Sequence, residues 1–386
     1  MIETNFIDTE IGCVPADWAV VSLGEIGEVR MCKRVMKYQT SEKGEIPFFK
    51  IGTFGKTPDA YISRELYSSY KEKYNYPKKG DILLSAAGTI GRTVVFDGKP
   101  SYFQDSNIVW IENDEKKVYN ELLFYIYKNL SWVTESGTIP RIYNGIVRSI
   151  VFAIPSSLPE QHRIASALSS IDNLISALDK LIEKKCAIKT GTMQELLGGE
   201  RRVKGCEGEW KNISMKDIVI ENGSVLNSKD FESGNIPVIA GGKKPAGFHK
   251  YFNRKGKTIT ISASGASAGF VSYYDTPIFA SDCSTISEQE DIDLKFLYFS
   301  LVVQQDDIYK CQAGGAQPHV HAKDIQHIKV SFPPLPEQRA IASVLTAMDD
   351  ELAALEAKKA KYIALKQGMM QQLLTGKIRL VDSSAK

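Results

Sequence analysis

One block of this chain occurs twice. Leu158-Pro159-Glu160-Gln161 returns as Leu335-Pro336-Glu337-Gln338, a shift of 177 residues. At the same shift, Ile164-Ala165-Ser166 meets Ile341-Ala342-Ser343, Leu168 meets Leu345 and Asp172 meets Asp349. The register continues through Met193-Gln194 against Met370-Gln371 and Leu196-Leu197 against Leu373-Leu374. It closes at Gly199 against Gly376, with Arg202 against Arg379 just beyond. Agreement over about 45 residues without a gap marks an internal duplication, so the chain must fold as two related units.

Each copy predicts a long helix. Ile164, Leu168, Ile171, Ile175, Leu178 and Ile182 step by alternating fours and threes. Ile341, Leu345, Met348, Leu352 and Leu355 step the same way, and Tyr362, Met369 and Leu373 resume the stripe. That is the seam of a coiled coil. Pro159 and Pro336 suit a first helical turn, and Gly198-Gly199 and Gly376 suit a stop. One copy alone would serve equally as a core helix of an ordinary bundle. Two copies, each about 57 Å long at 1.5 Å per residue, favour helices zipped together.

The segments before the helices repeat more faintly. Asp81-Ile82-Leu83-Leu84-Ser85-Ala86-Ala87-Gly88 faces Thr258-Ile259-Thr260-Ile261-Ser262-Ala263-Ser264-Gly265 at the same shift, as Gln104-Asp105-Ser106 faces Ser281-Asp282-Cys283. Gly137-Thr138-Ile139-Pro140 answers Gly315-Ala316-Gln317-Pro318. Short β-branched and aromatic runs broken by Gly, Pro and Asn predict strand-rich units with a few helices, such as Asn120 to Asn129. The expected order is a globular unit over 1–157, a helix over 158–198, a second unit over 199–334, and a second helix with its tail over 335–386.

Composition fits this plan. At 386 residues, 43% hydrophobic and 24% charged, the chain can bury two cores. No apolar run approaches the roughly 20 residues of a membrane span. Met1 to Asn5 lack a basic or hydrophobic leader, so export is not expected. Six scattered cysteines (Cys13, Cys32, Cys186, Cys206, Cys283 and Cys311) form no CxxC pair. They predict reduced thiols in the cytoplasm, with neither a disulfide framework nor a zinc cluster. A net charge of +2 argues against a protein that coats nucleic acid indiscriminately, but leaves room for local basic patches.

Two similar units in one chain, each with one zipper strand, mimic a homodimer with an approximate two-fold axis. Dimeric DNA readers use that symmetry to touch two half-sites. Because these units differ in sequence, the half-sites should differ too. The duplicated Leu-Pro-Glu-Gln with its following helix, and Ile82 to Gly91, resemble the specificity subunits of type I restriction-modification systems. The resemblance covers essentially the whole chain. It implies an α+β fold with two strand-rich target-recognition domains separated by two long helices in an antiparallel coiled coil.

The resemblance also implies a division of labour. A specificity subunit binds double-stranded DNA with a bipartite asymmetric target and scaffolds two modification subunits, which methylate adenine with S-adenosylmethionine. A motor-nuclease restriction subunit, using ATP and Mg, can join them for phage defence. The chain itself is then expected to be no enzyme and to hold no cofactor or metal. In agreement, it contains no Asn/Asp-Pro-Pro-Tyr/Phe segment and no GxGxxG. Gly52 to Thr57 resembles a Walker A loop, but two residues separate its glycines where four are needed. His319 and His321 lack a ligand partner at metal spacing. A methyltransferase or nuclease with an unrecognised site, and a scaffold that never meets DNA, are the competing classes.

Phosphates attract Lys, Arg, backbone amides and hydroxyls, whereas base edges are read by side chains with paired donors and acceptors. In the first unit this selects the cluster Arg30, Lys33, Arg34 and Lys37, and the glycine loop Ser85, Gly88, Thr89, Gly91 and Arg92. It also selects Gln104, Ser106 and Asn107, and Arg141, Tyr143 and Asn144. In the second unit it selects Lys243, Lys244, His249, Lys250, Arg254 and Lys255, a run interleaved with aromatics. Ser264, Ser267, Gln317, His319 and His321 complete the set. Gln161, Arg163, Gln338 and Arg339, at duplicated positions outside the seam, are expected to dock the modification subunits. The tyrosine-rich stretch Tyr61 to Tyr76 reads as packing.

Overall fold

The structure is a computed structural model that describes residues 4–130, 132, 141–315 and 317–381. Gly137 to Pro140 and Ala316 lie outside the described residues. Two long helices, α1 (Leu158–Leu197) and α2 (Leu335–Leu373), follow the two copies of Leu-Pro-Glu-Gln. The chain divides into two compact units, Met1–Ala177 with Lys359–Lys386, and Leu178–Lys358. Each unit therefore owns half of each helix, where chain order alone divides the molecule at the helix ends.

Within each unit the two half-helices run antiparallel, and duplicated residues make the same contacts. In the first unit Lys366 Nζ reaches Asp172 Oδ1 at 2.6 Å, and Arg379 beyond α2 reaches Glu160 at the start of α1. In the second, Lys189 pairs with Asp349, and Arg202 beyond α1 reaches Glu337 at the start of α2. The apolar stripe predicted from the spacing lies between them. Ile164, Leu168, Ile341 and Leu345 are fully buried, and Ile175, Ile182, Leu352 and Leu355 are half-buried, as in a two-stranded coil. Both helices stop at a glycine in the left-handed region, Gly199 at φ +75° and Gly376 at φ +69°. A Cβ on Gly376 would also stand 2.2 Å from Pro15 Cγ, so that position needs glycine twice over.

The first recognition domain carries two sheets. The larger is antiparallel, ordered β1 (Gly27–Met31), β7 (Ile108–Asn113), β4 (Ile82–Ser85), β5 (Thr93–Val95). The smaller is ordered β3 (Tyr61–Ile62), β2 (Ile46–Phe49), β6 (Tyr102–Phe103), with β2 and β6 parallel. The second domain repeats both. Its larger sheet is β8 (Glu221–Asn222), β14 (Cys283–Ile286), β11 (Thr258–Ser262), β12 (Val271–Tyr274). Its smaller sheet is β10 (Gly247–His249), β9 (Ile236–Ile239), β13 (Phe279–Ala280).

The central strands explain their own placement. Ile82 to Ser85 and Thr258 to Ser262 are buried throughout, as expected for strands covered on both faces. Helix Asn120–Asn129 buries Leu122, Leu123, Tyr125, Ile126 and Tyr127 against the first domain. Tyr67 and Tyr76 meet edge to face at 5.6 Å, and Tyr76 donates to the Ser101 carbonyl, so the tyrosine stretch does pack in large part. An antiparallel strand pair closes each domain: Trp18–Ser22 with Val151–Pro155, and Lys211–Ser214 with Lys329–Phe332. The second strand of each pair runs directly into a long helix.

Candidate nucleic-acid interface

Four separate segments of the first domain meet at one end of its larger sheet. The loop from Ala86 to Gly91 joins β4 to β5. The Ala86 amide donates to the Asn107 carbonyl at 2.8 Å, and the Ile142 amide to the Ala86 carbonyl at 2.9 Å. These bonds bring the glycine loop, the turn before β7 and the Arg141 to Asn144 segment side by side. The loop after β1 joins them through Arg34 Nε, which donates to Asp105 Oδ2 at 2.8 Å. Gly88 and Gly91 turn the loop at φ +67° and +82°. A Cβ on Gly91 would stand 2.4 Å from the Trp132 ring, which fixes glycine there. Ser106 holds φ +53° without being a glycine, an uncommon conformation whose strain tends to mark functional turns.

The second domain builds the same constellation from different residues. The Ala263 amide donates to the Asp282 carbonyl at 3.2 Å, and the Val320 amide to the Ala263 carbonyl at 3.0 Å. The loop closes with Gly269 donating to Ser262, where Gly91 donates to Ser85 in the first domain. It is one residue longer, yet Gly265 and Gly269 again sit at positive φ, +79° and +85°. Ser264 is bridged to His319 as Ala87 is to Arg141. Beside this loop, Lys243 Nζ lies 5.3 Å from the Phe270 ring centroid, and the His319 and His321 rings stack at 6.0 Å.

Several candidates keep an outward role. Lys33, Arg34, Lys37, Gly88, Thr89, Ser106, Arg141, Tyr143 and Asn144 are exposed in the first domain. Lys243, Lys244, Lys250, Lys255, Gln317 and His321 are exposed in the second, with Ser267 and His319 half-buried, while the half-buried Ser264 donates its hydroxyl to Asp282. Arg30 is half-exposed and paired with Glu112 across the sheet at 2.8 Å.

Other candidates are corrected, because their polar atoms are consumed inside the domain. Ser85 is buried, donating to the Thr89 carbonyl at 2.6 Å and accepting from the Arg92 amide, so it shapes the loop and meets no ligand. Arg92 donates to the Phe54 carbonyl, and Gln104 Oε1 accepts from the Ile51 amide. Asn107 is the exception and stays a candidate, because its Oδ1 is buried with no hydrogen-bond partner among the described residues. His249 is buried, its Nδ1 accepting from the Glu232 amide. Arg254 spans Thr285, the Asn222 carbonyl and Glu221. These residues hold loops in place. Sequence reasoning missed the loop Lys50 to Lys56, read only as a failed Walker motif. Its Ile51 amide and Phe54 carbonyl anchor Gln104 and Arg92, and Lys56 is exposed.

The docking candidates divide the same way. Gln161 is buried and saturated. Its amide donates to the Lys117 and Pro155 carbonyls, and its oxygen accepts from the Tyr119 amide. Gln338 repeats this with the Asp291 and Pro333 carbonyls and the Asp293 amide. Both glutamines pin a recognition domain to its helix and present no docking surface. Arg163 donates to the Leu380 carbonyl, and Arg339 is exposed.

The neighbouring glutamates close each unit with an arginine. Arg379 donates to both oxygens of Glu160, at 2.7 and 2.8 Å, and to both oxygens of Asp17 at 2.7 and 2.6 Å. Its guanidinium lies 5.8 Å from the Trp18 ring. Arg202 does the same with Glu337 at 2.7 and 2.6 Å and with the Trp210 ring at 5.7 Å. The bidentate bonds from Arg379 hold the Asp17 carboxyl below the usual carboxylate range.

Comparison with known proteins agrees with this duplicated architecture. A family described as the type I restriction modification DNA specificity domain matches twice, over residues 15–185 and 207–365. A Haemophilus influenzae protein provisionally named a type I restriction enzyme specificity subunit is 59% identical over 160 residues, 41% of each chain. The MjaVIII specificity subunit of Methanocaldococcus jannaschii is 26% identical across 98% of this chain and 97% of its own. The fold is shared with the crystal structure of a type I restriction-modification S subunit from M. genitalium. There the TM-score is 0.68 at 19% identity, covering 92% of this chain and 96% of that one. With two specificity domains matched over most of its length, the chain belongs to the type I restriction-modification DNA specificity family.

Proposed function

We propose that this chain is the sequence-reading subunit of a type I restriction-modification complex, with each domain reading one half of a bipartite, asymmetric DNA target. The observation that carries this is the twice-built loop constellation. The same backbone bonds set Arg141 beside Ala87 in one domain and His319 beside Ser264 in the other. Matching scaffolds that carry different side chains suit two readers of different sequences. Exposed cations would position the duplex through its phosphates, and Ser106, Asn144 and Gln317 are candidates for base edges.

In this reading the chain performs no chemistry and works in the cytoplasm. S-adenosylmethionine belongs to two modification subunits that methylate adenine, one docked per repeat. ATP and Mg belong to a motor-nuclease subunit where one joins. Arg163 and Arg339 remain the helix-start residues assigned to docking. The test combines the purified chain with its modification subunit and maps methylated sites genome-wide. A bipartite target is expected, with no methyl transfer by the chain alone. Transfer by the isolated chain would mark an enzyme, and a complex that fails to shift DNA in a gel would mark a scaffold.

A further inference from the structure

Among the described residues, the two most exposed large apolar side chains are Tyr38, 85% exposed, and Val225, 80% exposed. Both lie on the loop that follows the first strand of a larger sheet. Tyr38 lies on the loop from β1 to β2, and Val225 on the loop from β8 to β9. Each loop includes a short 3-10 turn, Lys37–Gln39 and Ser228–Asp230. Met36, 48% exposed, stands beside Tyr38.

The loop holding Tyr38 is ordered by its own bonds. The Met36 amide donates to Gln39 Oε1 at 2.8 Å, and the Gln39 amide to the Met36 carbonyl at 2.9 Å. The Thr40 hydroxyl donates to the Lys37 carbonyl, and Ser41 and Tyr61 exchange backbone bonds. A large ring fixed in water by a bonded loop forgoes burial that a side chain elsewhere would gain. Its surroundings are cationic. From Arg30 to Ser41 the chain holds Arg30, Lys33, Arg34 and Lys37 and no acid, and Arg34 ties the loop to the turn bearing Ser106. An exposed aromatic ring flanked by exposed cations complements a polyanion whose interior offers flat apolar faces, which is duplex DNA.

We propose that Tyr38 enters the duplex at the first half-site and stacks on a base at a partly opened step, while Lys33, Arg34 and Lys37 hold the flanking phosphates. This deepens the DNA-reading function and rests on it.

The experiment uses the full chain with its modification subunit, and a duplex carrying the methylation-mapped target with 2-aminopurine at successive positions of the first half-site. Besides the adenine that the modification subunit itself turns out of the stack, wild type should brighten one further position, reporting an unstacked step. Tyr38→Ala should abolish that signal and weaken binding by about tenfold to a hundredfold, the range seen when a stacking ring is removed. Tyr38→Phe should retain both. Loss in Tyr38→Ala without loss of thermal stability excludes misfolding, because Tyr38 packs against little. If wild type binds the duplex and Tyr38→Ala binds equally, with the same fluorescence, the wedge is overturned and DNA reading stands. If wild type fails to bind, the functional reading itself falls.

Discussion

The arginine clamp gives a sharp test of how each unit is closed. In the first unit the Arg379 side chain is 8% exposed and the Glu160 side chain 1%, so the pair is cut off from water. Replacing Arg379 by Met keeps an unbranched side chain in place but leaves the Glu160 carboxylate buried without its counter-charge. Breaking a buried pair from one side costs about 3–5 kcal/mol. The second carboxylate adds little, because Asp17 is 64% exposed and water screens it. In a unit of this size that loss lowers the melting temperature by about 6–20 °C. Adding Glu160→Met removes the stranded charge and should recover more than half of the loss. Urea unfolding of both single variants, the double variant and wild type closes the cycle. Strictly additive losses, or an Arg379→Met variant within about 1 kcal/mol of wild type, would refute the clamp as the closing contact.

The same geometry sets the remaining expectations. Asp17 titrates lower when folded than unfolded, so its stabilisation is present above the ordinary carboxylate pKa and fades as pH falls through the folded value. Acid denaturation of Arg379→Met should therefore show a shallower dependence below about pH 4, measured by circular dichroism. A fragment of residues 1–206 exposes the unpaired seam of α1 and should dimerise, with Arg202 of each copy taking the place of Arg379 on the other. Light scattering should show the dimer, weakened by Arg202→Ala, and with the modification subunit the methylated target should become a palindrome. A monomeric, folded fragment would count against the zipper. Replacing residues 199–334 by the matching segment of another family member should change one half of the methylated target; a change in both halves would end the idea of independent reading.

The helical frame was legible because its chemistry is repetitive. A zipper seam demands the same apolar spacing twice, and Asp172 with Lys366 and Asp349 with Lys189 survive at the same offset because they make one contact in two places. The candidate interface was legible only by region. Residue type marks Ser85, Arg92, Gln104, His249 and Arg254 as polar and capable, but not whether a partner stands across the domain to consume them. The glutamines of Leu-Pro-Glu-Gln misled for the same reason: their partners at Lys117 to Tyr119 and Asp291 to Asp293 carry no common motif. Trp18 and Trp210, which receive the clamping arginines, lie 192 residues apart rather than 177, so an ungapped comparison passes over them. Tyr38 left no periodic trace, since one exposed ring on an irregular loop has no pattern to repeat.

The clamps also explain why two such domains can diverge while the frame does not. Arg202, Glu337 and Trp210 close the second unit where the chain runs on from α1 into the domain, and Arg202 and Trp210 are near neighbours in sequence. Arg379, Glu160 and Trp18 close the first unit by the same contacts, with Arg379 also reaching Asp17, 362 residues away. One interaction set thus works whether or not its parts are joined by a short stretch of chain, so chain continuity is not what holds a recognition domain to its helices. Glu160 and Glu337 carry that attachment through the arginines, and the glutamines beside them carry it on backbone atoms. The loops at the end of each larger sheet take no part in it. They are left to vary in sequence, one residue longer in the second glycine loop than in the first, without cost to the frame that presents them.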